Sequence, residues 1–343
     1  MTEWVLPGAG QAEGVGGTAD GGLTLAGRAG GAPRVVHMNA GGKVVDDWTF
    51  PGSDSWPRAI ATPPGAVAVV AGPSDPPGHE HGIAVWRLQL GADGHLKQDW
   101  MRRFRRTSLD GGTGAVALDD GGLVVVGWTG GPQGGAWILR LDVDGEAAWR
   151  RLAMPSETQG LFHARAVALS PNGDVLVAAY GAPGPADPGG VWVMRFDLQG
   201  KDYDQKVIDE AEDEHPEALA VYGDGGLAVA GWTLPVVEGI KGDKETPWVV
   251  RLNGRGEILW DHHWGGAKGR LNAVAALADG GALVAGELAG EALLARLDIS
   301  GAVVWERRLG KRASLKALTL LADGTAAAVG NKQGRMWVVK VGY

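Results

Sequence analysis

Trp337-Val338-Val339-Lys340-Val341 reads as a β-strand, and the chain stops two residues later at Tyr343. Thr2-Glu3-Trp4-Val5-Leu6, at the opposite end, reads as the strand that ought to come next. Elsewhere a strand of the first kind leads through a turn into a strand centred on Trp, as in Gly256-Glu257-Ile258-Leu259-Trp260. An open array of repeats has no need of matching ends, whereas a closed ring does. The two ends therefore predict a circular arrangement in which residues 1–8 form the outer strand of the last repeat.

The repeat itself is marked by a Gly-rich turn. It appears as Asp20-Gly21-Gly22, Asp120-Gly121-Gly122, Asn172-Gly173, Asp224-Gly225-Gly226, Asp279-Gly280-Gly281 and Asp323-Gly324, with a weaker form at Pro63-Pro64-Gly65. These seven turns lie roughly 44 to 56 residues apart, a spacing that suits propeller blades. Asp-Gly and Asn-Gly favour tight hairpins because Gly takes positive φ without a Cβ clash. Before each turn runs a strand of small residues, such as Ala164-Arg165-Ala166-Val167-Ala168-Leu169 or Ala218-Leu219-Ala220-Val221. Small side chains suit the strands that crowd round a central axis. After the turn runs a β-branched strand such as Leu123-Val124-Val125-Val126.

A third strand follows, as in Trp137-Ile138-Leu139-Arg140-Leu141 and Trp248-Val249-Val250-Arg251-Leu252, and ends in a second turn with Asp or Asn three residues before Gly. The fourth strand carries an aromatic residue: Trp4, Trp48, Trp100, Trp149, Tyr203, Trp260 or Trp305. Seven aromatics match seven turns once Trp4 joins the last repeat, and they are expected to be buried. The Arg that ends third strands (Arg87, Arg140, Arg195, Arg251, Arg296, with Lys340) is expected to pair between blades with the turn Asp. The chain is thus predicted to be all-β, a seven-bladed β-propeller of four-stranded antiparallel blades forming a single domain over residues 1–343.

The run of DGG, β-branched strand, W-x-x-R-L-D-x-x-G and final Trp resembles bacterial seven-bladed propeller repeats of WD40-like architecture. The ending Gly145-Glu146-Ala147-Ala148-Trp149 is similar to the tryptophan-docking repeat of quinoprotein-type propellers. Trp-Asp occurs once, at Trp260-Asp261, and does not recur from blade to blade. Adjacent cysteines are absent and seven blades are counted where quinone-dependent alcohol dehydrogenases have eight, so no quinone or other cofactor is expected. The resemblance is one of scaffold and implies no single activity.

Composition narrows the function classes. A formal charge of −8 argues against a nucleic-acid partner, for which a basic face is the usual footprint. With no cysteine, disulfides, thiolate metal sites and a Cys nucleophile are excluded. No run of about 18 apolar residues marks a membrane span, and MTEWVLPGAG lacks the basic-then-apolar order of a signal peptide. A cytoplasmic monomer is expected, or a periplasmic or extracellular module if the chain is an excised domain. No nucleophile elbow, phosphate loop or dinucleotide fingerprint is present, so no catalytic residue is singled out. His79-Glu80-His81 and Asp261-His262-His263 hold imidazoles beside carboxylates, and His163 and His215 precede inner strands. None has a recognised ligand spacing, and they are read as ordinary surface histidines with no metal.

Short turns are expected on one face of the ring and long loops on the other: Gly72 to Gly82, Gly127 to Ala136, Tyr180 to Gly190 and Gly231 to Pro247. Long loops on a rigid frame are where binding tends to sit. One polar residue opens each small-residue strand, namely Glu13, Arg58, Thr113, Arg165, Glu217, Asn272 and Lys316. They are predicted to line the channel mouth on the loop face, either because a wet channel wants polar walls or because they form a site of mixed charge. Trp56 is a contact candidate beside them; Trp128 and Trp232 are read as packing loops onto blades, and Tyr180 is open to either role. The acidic run Asp209 to Glu214 and the basic run Arg102 to Arg106 are read as solvated loops. The expected function is a non-catalytic platform for a protein or peptide on the loop face. The alternatives are an enzyme or small-anion binder using Arg58, Arg165 and Lys316, and a spacer domain within a larger protein.

Overall fold

A computed structural model of the chain describes residues 1–50, 55–72, 82–107, 109–131, 134–154, 161–184, 187–208 and 212–343. Of Leu161, Asp202 and Tyr203 it describes only the backbone. Among the described residues there is no helix; seven four-stranded antiparallel sheets account for the fold, with one two-stranded ribbon, Val236–Val237 with Ile240–Lys241. The chain is a seven-bladed β-propeller.

Within each blade the strands pair in sequence order. Blade 1 holds Gln11–Gly17, Leu23–Ala29, Ala32–Met38 and Val44–Thr49; blade 2 holds Trp56–Ala61, Ala66–Gly72, Ile83–Leu90 and Leu96–Phe104. Blade 3 holds Asp110–Ala117, Leu123–Thr129, Gly135–Leu141 and Ala147–Ala153; blade 4 holds Leu161–Leu169, Val175–Ala182, Gly190–Phe196 and Asp202–Ile208. Blade 5 holds Asp213–Val221, Leu227–Leu234, Thr246–Leu252 and Ile258–His263, and blade 6 Gly269–Ala276, Ala282–Leu288, Glu291–Leu297 and Val303–Lys311. In blade 7, Ala313–Leu320, Thr325–Lys332 and Arg335–Gly342 are completed by Thr2–Val5.

That last pairing is the one the chain ends predict. Thr2 lies opposite Lys340 and Val5 opposite Trp337. Leu6 extends the contact: its N–H donates to the Met336 carbonyl at 2.9 Å, and its side chain is buried. Glu3 accepts from Lys332 Nζ at 2.7 Å and Trp337 Nε1 at 3.2 Å. Without Thr2–Val5 the strand Arg335–Gly342 would present a bare row of backbone donors and acceptors.

The chain divides into two compact units. The first comprises Met1–Gly131, Ile138–Arg151 and Lys316–Tyr343, hence blades 1 and 2 with most of 3 and 7. The second comprises Pro132–Trp137 and Leu152–Leu315, hence blades 4, 5 and 6. In each, small and β-branched side chains from neighbouring blades interdigitate. Ala12, Leu25, Val36, Ala327, Val329 and Val338 do so in the first, and Ala178, Val193, Val229, Val250 and Leu252 in the second. Both faces of the middle strands are buried, which is why they read as continuous apolar runs rather than alternating ones.

Two expectations need correction. Five of the six third-strand cations pair with the turn Asp of their own blade, as Arg140–Asp120, Arg195–Asp174, Arg251–Asp224, Arg296–Asp279 and Lys340–Asp323, while Arg87 pairs with Asp99 of its fourth strand. The first–second turn and the third strand end side by side in an antiparallel blade, so the carboxylate is within reach there. Contact with the next blade is made instead by spare guanidinium donors, from Arg87 to the Gly121 carbonyl at 2.7 Å and from Arg251 to that of Gly280 at 2.5 Å.

The outer tryptophans are also less buried than expected. Trp100 is 8% exposed, but Trp4, Trp48, Trp149, Trp260 and Trp305 are only half-buried. A fourth strand has no neighbour beyond it, so one ring face meets water. For three of them the other face lies on a Gly of the next blade: Trp100 on Gly145, Trp260 on Gly301 and, at the chain ends, Trp4 on Gly42. A Cβ at these glycines would run into the indole.

Leu6→Ala is expected to destabilise the fold by about 2–5 kcal/mol in denaturant titration, as buried Leu truncations do, and Val5→Ala, at an exposed site, by less than about 0.5 kcal/mol. Trp100→Ala should cost about 3–5 kcal/mol, and the half-exposed Trp260→Ala less than half as much.

Candidate functional site

The seven polar residues singled out in the first strands share a backbone feature. In six blades the ladder between first and second strands shifts register, and the residue skipped is Glu13, Arg58, Thr113, Arg165, Glu217 or Asn272. Each is the extra residue of a β-bulge, which bends the strand and re-aims one side chain. Lys316 holds the same fourth place in Ala313–Leu320 that Asn272 holds in Gly269–Ala276. These residues do not open their strands, as expected, but sit inside them. Blade 4 starts at Leu161 and blade 5 at Asp213, each four residues before the bulge. A bulge inverts side-chain parity, so the apolar alternation breaks there and the strand looks shorter than it is.

In the first unit the structure brings Glu13, Trp56, Arg58 and Lys316 together. Trp56 Nε1 donates to Glu13 Oε1 at 3.2 Å, and Gln11 Nε2 donates to the same oxygen at 2.5 Å. The guanidinium of Arg58 lies 4.6 Å from the Trp56 ring centroid and that of Arg28 4.7 Å. Burial raises the Glu13 pKa, and the charges of Lys316 and Arg58 with the two hydrogen bonds offset this only in part. Thr113 turns inward instead, donating to the Val126 carbonyl of its own blade at 3.3 Å.

In the second unit a column of four flat groups stands on blades 4 to 6. Tyr180 stacks on His215 at 4.2 Å, His215 on Trp232 at 3.7 Å, and the Arg270 guanidinium lies 4.5 Å from the Trp232 ring. Asp213, 1% exposed, ties the column down. It accepts from Tyr180 OH at 2.9 Å and the Gly189 N–H at 2.8 Å, and meets His215 Nε2 at 3.0 Å and Lys241 Nζ at 3.1 Å. Burial opposes its charge, but these partners override burial and hold the carboxyl well below the usual range. Burial and Asp213 together push the Tyr180 hydroxyl far up. Glu245 clamps Arg270 with two short hydrogen bonds, and Trp232 Nε1 donates to Glu217 at 3.1 Å. An ionised carboxylate and a protonated phenol fixed far from neutrality are poor proton-transfer partners at pH 7, and good orienting ones.

Of the predicted residues, Glu217 joins this column, whereas Asn272 donates to the Leu315 carbonyl at 2.7 Å. Arg165 faces His163 and Tyr180 electrostatically. Burial first, and Arg165 second, lower the His163 pKa to about 4. Tyr180 is buried, and Trp128 and Trp232 are half-buried.

Sequence reasoning missed Arg28, Asp213, His215, Lys241, Glu245 and Arg270. Asp213 and Glu214 were read as part of a solvated acidic run; they are buried in the first strand of blade 5. The i, i+2 relation of Asp213 to His215 is the available signal, since alternate strand residues share a face. Asp209, Glu210 and Ala211 lie outside the described residues, as do His79-Glu80-His81 and most of the loop from Gly72 to Gly82. His262 and His263 are not simple surface histidines: their rings pack near Trp264 and Trp248. Arg102 and Arg103 likewise lie in the fourth strand of blade 2 rather than in a loop.

No protein-family model matches the chain, and no curated protein matches its sequence. Solved structures share its fold. A streptogramin B lyase superposes with a TM-score of 0.66 at 14% identity, over 98% of this chain and 96% of the lyase. Virginiamycin B lyase from Staphylococcus aureus gives 0.62 at 14%, over 99% and 97%. The C-terminal WD40 domain of Sif2 gives 0.57 at 8%, over 99% of both chains. Identities this low carry the architecture alone.

The His163 environment has a measurable consequence. Its folded pKa lies below the ordinary value near 6.5, so the unfolded chain binds the proton first and stability falls as pH drops from about 6.5 to 4. The stability difference between His163→Phe and the parent should shift in favour of the variant by about 2–3 kcal/mol across that window. Parallel pH curves in denaturant titrations would contradict the assignment.

Proposed function

We propose that the protein is a non-catalytic interaction module. It engages an acidic segment of a partner protein through the Arg28–Trp56–Arg58 cluster and Lys316. The observation that carries this reading is the pair of guanidiniums set over one indole, at 4.7 and 4.6 Å. Stacking holds each guanidinium plane, and Arg28 is fixed further by donating from Nη2 to the Gly31 carbonyl at 2.7 Å; planes held in this way suit recognition of a carboxylate. Three cations gather near one carboxylate, Glu13, whose charge burial disfavours. The result is a local basic spot on a chain of net charge −8. Half-buried Trp beside Arg is also the composition that dominates binding energy in protein interfaces. The cluster stands at the end of its sheets opposite the turns that join first to second strands, so residues of turns at that far end serve as internal controls.

A fluorescein-labelled Glu/Asp-rich peptide should bind in anisotropy titrations, with affinity falling as salt rises, while a Lys-rich peptide of equal length should not bind. Arg58→Glu should weaken binding more than about tenfold by replacing attraction with repulsion. Asp144→Lys, in a hairpin turn of blade 3, should leave it within twofold. Equal losses from both variants would defeat the proposal. Competition by citrate as effective as by unlabelled peptide would instead favour a small-anion site.

A further inference from the structure

Blade 4 departs from its siblings where it meets blade 5. In blades 2 and 5 the fourth-strand residue opposite the third-strand Arg is a tryptophan: Trp100 faces Arg87 and Trp260 faces Arg251. Each indole lies on the Gly of the next blade's third–fourth turn, and its Nε1 donates to the carbonyl two residues before that Gly. Trp100 reaches Val143 O at 2.8 Å, and Trp260 reaches Ile299 O at 2.9 Å. In blade 4 the residue opposite Arg195 is Asp204. Tyr203, expected to supply the aromatic, is the skipped residue of a bulge between Asp202 and Asp204, one step out of register.

Lys206 does not take the indole's place. It is the counterpart of Arg102, two residues after the site and opposite Val193 as Arg102 is opposite Val85. In blade 2 both the Arg102 stem and Trp100 cover Gly145; in blade 4 the three atoms nearest a Cβ at Gly256, among the described residues, all belong to the Lys206 stem. Blade 1 also has an Asp at this register, Asp46 opposite His37, but that junction is closed differently. There Val45 covers Gly94, and Asp46 accepts the Leu96 N–H at 2.7 Å.

Between blades 4 and 5, among the described residues, a cleft of about 300 Å³ opens. Leu176, Val193 and Leu227 line it, as do Gly254 and Gly256. Its size is at the lower end of small-molecule sites, roughly 300–1,000 Å³. Gly254 stands two residues before Gly256, so its carbonyl is the counterpart of the Val143 and Ile299 acceptors. We propose that this cleft is a binding site for a small planar heteroaromatic carrying a ring N–H, of the indole class. Its plane rests on Gly256, its N–H donates to the Gly254 carbonyl, and Lys206 stands beside it as Arg102 stands beside Trp100.

The test is a titration of the intact protein with 5-fluoroindole, read by ¹⁹F NMR and by ¹⁵N amide shifts. Saturable one-to-one binding is expected, with the largest amide shifts at Gly225, Gly254 and Gly256. N-methylindole, which lacks the donor, should bind about tenfold more weakly. Asp204→Trp, which supplies the indole from within, should lose binding at least tenfold and melt higher than the parent. No saturation up to about 5 mM, some −3 kcal/mol of binding free energy, would overturn the proposal. So would shifts centred away from blades 4 and 5, or unchanged affinity in a folded Asp204→Trp protein. The amide map on the unaltered protein decides the matter even if that variant fails to fold.

Discussion

The pairing of Thr2–Val5 with Arg335–Gly342 is the constraint on which the first unit depends. It joins residues more than 300 positions apart, so closing it carries a larger loop-closure entropy than any local hairpin. Once made, it supplies a fourth strand to blade 7, buries Leu6 and seats Trp4 on Gly42 of blade 1. Small, apolar middle strands then pack on both faces without leaving an open edge at the seam. Similar seating recurs within each unit, where Trp100 of blade 2 sits on Gly145 of blade 3 and Trp260 of blade 5 sits on Gly301 of blade 6.

Bulges make the frame useful. A regular first strand would alternate its side chains between two buried faces and leave no room for charge. Skipping one residue in the ladder frees a position in the middle of that strand, and the sequence fills it with Glu, Arg, Thr or Asn. Around Glu13 this produces a stack of cations on Trp56; around Glu217 it supports the column from Tyr180 to Arg270. The two clusters differ in chemistry. The column is internally paired by Asp213 and Glu245 and orients rings, whereas the first-unit cluster carries a surplus of cations over a half-buried carboxylate.

Much of this architecture was legible in the residues. Asp-Gly and Asn-Gly turns have a conformational cause, exemplified by Gly121 at φ 82°, and six of them together with Pro63-Pro64-Gly65 mark out the seven blades. Trp4 at one end and the unfinished strand at the other fix the closure. The polar positions were visible as exceptions in strands of Ala, Val and Leu, but their bulges were not, since a ladder shift leaves no mark in composition. Asp213 was misread because a run of acids resembles a solvated loop until its partners, Tyr180, His215 and Lys241, are brought in from other strands. Tyr203 filled a tally of aromatics although the register places Asp204 in the docking position. Each miss is a property of pairing across strands, which linear spacing does not encode.

The seam between the chain ends is the most direct place to test this account, by native-state hydrogen exchange. The Leu6 amide, bonded to Met336 O, and the amides by which Thr2–Val5 and Arg335–Gly342 bond each other should exchange only through large-scale opening, with free energies close to those of the blade cores. Exchange of the Leu6 amide at the rate of an unstructured peptide, while Arg335–Gly342 stays protected, would show the N-terminal strand to be a frayed end and contradict the closure.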